Sequence, residues 1–444
     1  MSTSTTAPPP PALRREPEAR SKRLTELNEL ARTTPGVLTI LATALVLFSV
    51  LIGVVTALTV QSKAQSLDDL TTRSGPLSVA SQDIYRALSD ADASATSAFL
   101  SGGLEPVELR ERYESDIAKA EAALAVAVAA REPSDVATGP LAVLSGQLSV
   151  YTGLVETARA NNRQGLPVGA AYQREASYLM RTALLPAANE LYQAETTQVA
   201  DDQDSAGSFP VVAVLLGLLG LAVLVAAQLF LRRRTNRVFN VGMLVATGAA
   251  LISLLWVVIA SLGVSANVDA SREDGSAQVK VLAQARIAAL AARSNETLTL
   301  VARGNGAAFE EEYDVTREEL GTLLDEAAGL TTSDAVRSEI DSAAGVQQEW
   351  HAVHEQIRTA DDGGDYDAAV TLAIGADENG AAARFDQLDT DLREAIEATT
   401  ATFDDEVSQA GNAITGTVVG VILLAILMAV GSAAGIWQRL KEYR

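Results

Sequence analysis

Leu231-Arg232-Arg233-Arg234-Thr235-Asn236-Arg237-Val238-Phe239-Asn240 separates two uncharged runs, residues 209–231 and 241–264. Each run is long enough to cross a bilayer as a helix, since about 20 apolar residues at ~1.5 Å per residue span the ~30 Å hydrocarbon layer. Basic residues in a short loop between two crossings are retained on the inner side, so Arg232, Arg233, Arg234 and Arg237 predict a cytoplasmic turn. The same arginines are the candidate contact surface for a cytoplasmic partner, with Thr235 a phosphorylation candidate behind them. Fixing topology alone would also account for them.

Working outward, two more runs lie at 37–60 and 413–437. The sequence therefore predicts an all-α, multi-pass cell-membrane protein with four transmembrane helices, at 37–60, 209–231, 241–264 and 413–437. Both termini, 1–36 and 438–444, and the loop 232–240 fall in the cytoplasm. Residues 61–208 and 265–412 fall outside. Charge agrees with that layout. The outer segments carry 11 basic against 20 acidic and 10 basic against 31 acidic residues, whereas every inner segment has a basic excess. The acidity behind the net charge of −22 lies in the outer segments, which argues against nucleic acid as a partner. The run 37–60 exceeds a signal-peptide core and follows a 36-residue stretch, so it reads as an uncleaved anchor. With no cysteine, disulfides and zinc–sulfur or iron–sulfur sites are excluded.

The proline-rich residues 1–12 predict disorder. Leu24, Leu27 and Leu30 among Arg20, Lys22, Arg23 and Arg32 predict an amphipathic helix over 16–32, lying on the inner leaflet or docking a cytoplasmic protein. In the first outer segment Leu141, Leu144, Leu148, Tyr151, Val155 and Ala158 recur at helical spacing, and breakers divide it into helices near 62–100, 105–131, 135–163 and 168–206. Pro186 predicts a kink in the last of these. The second segment repeats the plan, with a seam through Val336, Ile340, Ala343, Val346, Trp350, Val353 and Ile357 and another through Phe385, Leu388, Leu392 and Phe403. An offset of 200 places Val79, Arg86, Ala91, Ser94, Leu100, Glu111, Tyr113, Leu124 and Ala127 opposite identical residues, including Arg286 and Tyr313. The expectation is two tandem extracytoplasmic four-helix bundles produced by internal duplication.

Chemistry is sparse. His351 and His354, the only histidines, match no zinc-protease pattern and read as flank positions beside Trp350. Acidic clusters such as Glu310-Glu311-Glu312 read as solvated faces. No catalytic, cofactor or metal residues are assigned, and the chain is read as a non-enzyme. The runs contain no ionisable residue, against the usual transporter pattern. Gly416-x-x-x-Gly420 and Gly431-x-x-x-Gly435 suit close packing of helices, within the bundle or between two copies as a homodimer. Outer helices that continue into membrane helices suggest transmission by helix displacement. Only seven residues follow the last run and they hold no output module, so any signal would pass to a separate protein.

Thr34-Pro35-Gly36, Ala98-Phe99-Leu100-Ser101-Gly102-Gly103, Arg112-Tyr113, Tyr178-Leu179-Met180-Arg181, Leu184-Leu185-Pro186-Ala187-Ala188 and residues 232–240 together resemble the actinobacterial GlnX-type membrane proteins. That resemblance implies an extracytoplasmic solute-binding protein for glutamate, glutamine or aspartate as outer partner, and the cytoplasmic serine/threonine kinase PknG as inner partner. The outer segments are also similar to chemoreceptor four-helix sensor domains. A signal relay for amino acids follows. The alternatives are a direct small-molecule receptor, with Arg86, Arg286, Tyr113 and Tyr313 as candidate sensor positions, and a structural scaffold of an envelope complex.

Overall fold

The computed structural model describes residues 34–102, 104–130, 139–235, 240–375 and 377–441. The predicted inner helix 16–32 and the disordered stretch 1–12 lie outside them. Every regular element among these residues is helical. In chain order they are α1 (Thr34–Asp69), a π-turn at Leu70–Ser74, α2 (Gly75–Leu100), α3 (Val107–Ala129), α4 (Pro140–Arg163), α5 (Val168–Leu179), a π-turn at Met180–Leu184, and α6 (Leu185–Gly207). They continue as α7 (Val211–Thr235), α8 (Val241–Ala270), a π-turn at Ser271–Ser276, α9 (Ala277–Val301), α10 (Ala307–Leu330), α11 (Asp334–Asp362), α12 (Tyr366–Ile374), α13 (Ala381–Ile414) and α14 (Thr417–Leu440). The chain divides into an apolar unit, drawn from residues 1–61, 210–260 and 416–444, and a polar unit, drawn from 62–209 and 261–415.

Four helices are long and apolar enough to cross a membrane, and they supply the apolar unit. Their surfaces are apolar all round, as a bilayer requires. Leu38, Leu45 and Ile52, spaced by seven, turn inward to meet Leu224, Met243 and Met428, while Leu47, Leu51 and Leu58 stay exposed. Small residues set the closest approaches. A Cβ on Gly242 of α8 would lie 2.5 Å from the backbone nitrogen of Gly435 on α14, so only glycine fits that crossing.

In the polar unit α2 and α9 form a central pair, each packed against the other and against helices of its own half. That position explains their composition. Residues 91–98 of α2, Ala-Asp-Ala-Ser-Ala-Thr-Ser-Ala, are all buried, and small side chains are what let a helix be surrounded. The seam Leu141, Leu144, Leu148, Tyr151, Val155 and Ala158 is buried in full.

Three local features depart from the sequence reading. Pro186 stands in the first turn of α6 rather than inside one unbroken helix. A π-turn precedes it, with the Leu185 N–H donating to Met180 O, and the wider turn accommodates the missing donor and the ring. The same device carries the chain past Gly75-Pro76, where Gly75 N–H donates to Leu70 O. The second half is not four plain helices, because α12 and a turn within residues 377–380 interrupt the stretch before α13. There Gly380 N–H donates to Asp377 O and Asn379 N–H to the Asp377 carboxylate. Finally, helix continuity into the apolar spans holds at α1 and α8 only. Ser208 is extended between α6 and α7, and Thr415 with Gly416 (φ +77°) separates α13 from α14.

Candidate functional site

Because α2 and α9 are buried on most sides, any ionisable group on them must find its partners inside. Each carries one fully buried carboxylate. On α2, Asp92 Oδ1 accepts from the Tyr151 hydroxyl of α4 at 3.2 Å and the Ser177 hydroxyl of α5 at 3.0 Å. Gln173 Nε2 donates to Thr96 Oγ1 at 3.1 Å one turn further along, which extends the network. Burial pushes the Asp92 carboxyl up to about 6, against the two hydroxyl donors and the more distant Arg181.

On α9 the carboxylate is Glu296, and its surroundings are cationic. Glu296 Oε1 accepts from Trp350 Nε1 and from His354 Nδ1, each at 3.1 Å, and Oε2 is paired with Arg293. His354 bridges onward through Nε2 to Glu310 Oε1 at 2.9 Å, and Arg293 Nη2 donates to the carbonyl of Ala373 at 2.9 Å. Tyr313 stacks on the imidazole, with ring centroids 3.7 Å apart, and meets Trp350 edge-on at 5.9 Å. Burial lowers the His354 pKa, but the two glutamates outweigh it and lift the imidazole to about 9. Burial likewise raises the Glu296 carboxyl, yet Arg293 and His354 hold it below its ordinary value. At neutral pH the cluster is therefore an imidazolium clamped between two carboxylates.

This overturns two readings. His354 is not a flank position but a core residue, 2 % exposed. Glu310 is not part of a solvated acidic face, since it turns in toward His354 and Arg358, while Glu311 and Glu312 remain exposed. His351 stays at the margin of the cluster, partly exposed.

The predicted sensor positions fall into two groups. Tyr113 and Tyr313 are buried core residues whose hydroxyls have no hydrogen-bond partner among the described residues, and burial raises both phenols. Arg86 and Arg286 belong to an ionic layer where the halves of the polar unit meet. Arg86 pairs with Asp90 at 3.1 Å and with Asp83 at 3.6 Å. Arg286 makes a two-pronged contact with Asp389, Nη2 to Oδ2 being 2.7 Å. Arg112 of α3 reaches Asp386 of α13 through both terminal guanidinium nitrogens, Nη1 and Nη2, at 3.0 and 3.2 Å, a link between halves that the spacing did not reveal. Burial, then Asp389 and Asp116, raise the Asp90 carboxyl to about 7 despite Arg86. Both candidate arginines are thus already held by carboxylates, which leaves them poorly placed to receive an anionic ligand.

In the apolar unit, Gly431 and Gly435 pack against the start of α8, where Asn240 Nδ2 donates to Gly435 O at 2.8 Å, and Gly420 lies against the Trp256 ring. Gly416 does not take part. It caps α14 in the left-handed region with open space where a Cβ would stand. Arg232 and Arg233 are exposed at the end of α7. Arg237, Arg20, Lys22, Arg23 and the side chain of Arg234 lie outside the described residues.

Residues 66–204 match the family model of the actinobacterial sensor domain. The matched segment runs from the last residues of α1 into α6, and so includes the Asp92 network, Arg86, Arg112 and Tyr113, but not the His354 cluster. No curated protein and no solved structure matches the chain.

Proposed function

We propose that this chain is a non-enzymatic transmembrane signal relay, with the polar unit outside the membrane and both termini in the cytoplasm. The observation that carries the reading is the match of residues 66–204 to a sensor domain in a chain with four membrane-capable helices. Two features support transmission by helix displacement. The helices α1 and α8 each contain an apolar span and residues of the polar unit without a break. At the other two spans the helix is interrupted, at Ser208 and at Gly416, so a displacement would travel through α1 and α8. The GlnX-type resemblance supplies the finer reading: a glutamate-, glutamine- or aspartate-loaded binding protein docks outside, and the inner basic residues hand the change to a cytoplasmic serine/threonine kinase.

The test is co-purification of partners by the full-length protein from membranes, with and without glutamate. The reading expects a solute-binding protein whose capture depends on the amino acid, and a kinase whose activity toward a reporter substrate changes with it. A partner set indifferent to glutamate overturns the relay. Arginine-turn labelling by a membrane-impermeant reagent in intact cells would overturn the orientation.

A further inference from the structure

We propose that the cleft bounded by α6, α9, α13 and the start of α2 is a binding site for a small amphipathic zwitterion, an amino-acid-like molecule with an apolar or aromatic body. The cleft has a volume of about 320 Å³, whereas a second cleft at the junction of the halves, between Arg112 and Phe385, has about 50 Å³. Small-molecule sites begin at roughly 300 Å³, so only the former has room for more than water.

Its walls are apolar. Val79, Val199, Val279 and the Tyr192 ring line it, with Phe403 from α13. The three threonines on its lining do not change that character. Thr71, Thr196 and Thr400 each donate their hydroxyl to a backbone carbonyl of their own helix, at 3.0, 2.9 and 2.8 Å, so the donors are satisfied before any ligand arrives. Phe403 is seated by two glycines at the 200-residue offset. A Cβ on Gly275 would fall 2.9 Å from Phe403 Cβ, and one on Gly75 would fall 3.9 Å from Phe403 Cε1.

The charges on the lining are one cation and one anion, Lys280 and Asp404. Both are exposed, and neither forms an ion pair among the described residues. Partial burial of its carboxyl, then Asp405, raise the Asp404 pKa, as befits an anion with no cation beside it. An apolar cleft with a lone cation would favour an acid, and one with a lone anion would favour an amine. With both, the molecule that satisfies the site carries an anionic group for Lys280, an ammonium for Asp404 and an apolar body for the walls. The lining comes from both halves of the polar unit and includes residues of two π-turns, Thr71 and Ser276. Occupancy would therefore fasten the halves together where the helices are least regular.

The experiment is calorimetric titration of the full-length protein in nanodiscs with L-phenylalanine, phenethylamine and 3-phenylpropanoate. The expected result is saturable binding of L-phenylalanine that weakens about tenfold or more when either charge is missing from the probe. Lys280→Gln and Asp404→Asn should each weaken it by a similar factor of about ten. Both side chains are exposed, so the variants should melt like the parent, and Val199→Trp should abolish binding by filling the cleft. No binding of L-phenylalanine, equal binding of the singly charged analogues, or indifference to both charge substitutions overturns the proposal. Neither a binding protein nor a kinase takes part, so the outcome is separate from that of the relay reading.

Discussion

Raising the pH should loosen the second half of the polar unit through one imidazole. His354 has an ordinary value of 6.5 and sits at about 9 when clamped between Glu296 and Glu310. A folded value above the unfolded one means stability that is complete below the unfolded pKa and disappears as pH climbs through the folded pKa. At about 1.4 kcal/mol per pH unit, the displacement amounts to roughly 3 kcal/mol, most of it lost between pH 7 and 9. Glu296 is displaced the other way, so the same contact fails on the acid side as pH falls through that carboxyl's depressed pKa. These are two limbs of one interaction, and their magnitudes do not add. Urea unfolding in detergent, followed by Trp350 fluorescence in a Trp256→Phe, Trp437→Phe background, reads the effect directly because Trp350 is itself bonded to Glu296. His354→Gln should lower stability by about 3–5 kcal/mol at pH 6, since Glu310 and Glu296 lose a charged partner, and the gap should narrow steadily toward pH 9. Parallel stability curves for parent and variant across that range would show that the imidazolium carries no such energy.

In the segment that matches the sensor-domain model the sign is reversed for substitution. Asp92 is raised from 3.8 to about 6 with hydroxyl donors only, so its ionised form weighs against folding above pH 6, and Asp92→Asn should stabilise the full chain by about 2–3 kcal/mol at pH 8 while changing little at pH 4. Chemical unfolding at the two pH values checks this; destabilisation at pH 8 would contradict it. In the apolar unit, Gly242→Leu should cost about 1–3 kcal/mol by forcing α8 from α14, visible as a lower melting temperature in detergent. Gly416→Ala, in open space but at φ +77°, should cost only about 1 kcal/mol from backbone strain. Hydrogen exchange across pH should separate the halves. Amides of α2 and α5 should lose protection between pH 4 and 6 as Asp92 ionises, and those of α9 and α11 between pH 7 and 9; loss in a single common window would mean the two networks open together.

Much of the architecture was legible because apolar periodicity reports burial directly. The seam from Leu141 to Ala158 and the four long apolar runs needed nothing beyond side-chain spacing. What spacing could not report is how the backbone negotiates a proline: Gly75-Pro76 reads through as plain helix and Pro186 as a kink, and each follows a wider turn. His354 was within reach. It lies four residues after Trp350 and three before Ile357, on the stripe that faces the core, and Val353 was taken as the inward residue in its place. The signal for Glu296 was its spacing of three from Arg293, the two being the only charged residues between positions 287 and 302. Arg86 and Arg286 were noticed through their repetition, but a repeated arginine says nothing about whether a carboxylate such as Asp389 awaits it from another helix.

The two central helices place a carboxylate in comparable surroundings and treat it differently, and that contrast bears on how a signal could begin. Glu296 has Arg293, His354 and the Trp350 indole, so its ionised form is favoured and any movement of α9 against α11 must break charge-assisted contacts. Asp92 has two hydroxyls and no neighbouring cation, so its ionised form is disfavoured where it stands. A rearrangement that let water or Arg181 closer to Asp92 would recover part of that cost, while an equal rearrangement around Glu296 would only lose energy. A two-state element requires alternatives of similar free energy. The cost carried by Asp92 narrows the gap between arrangements of α2, α4 and α5, whereas the clamp on Glu296 widens it for α9 and α11. On that balance, the half that matches the sensor-domain model is expected to rearrange more readily than the second half.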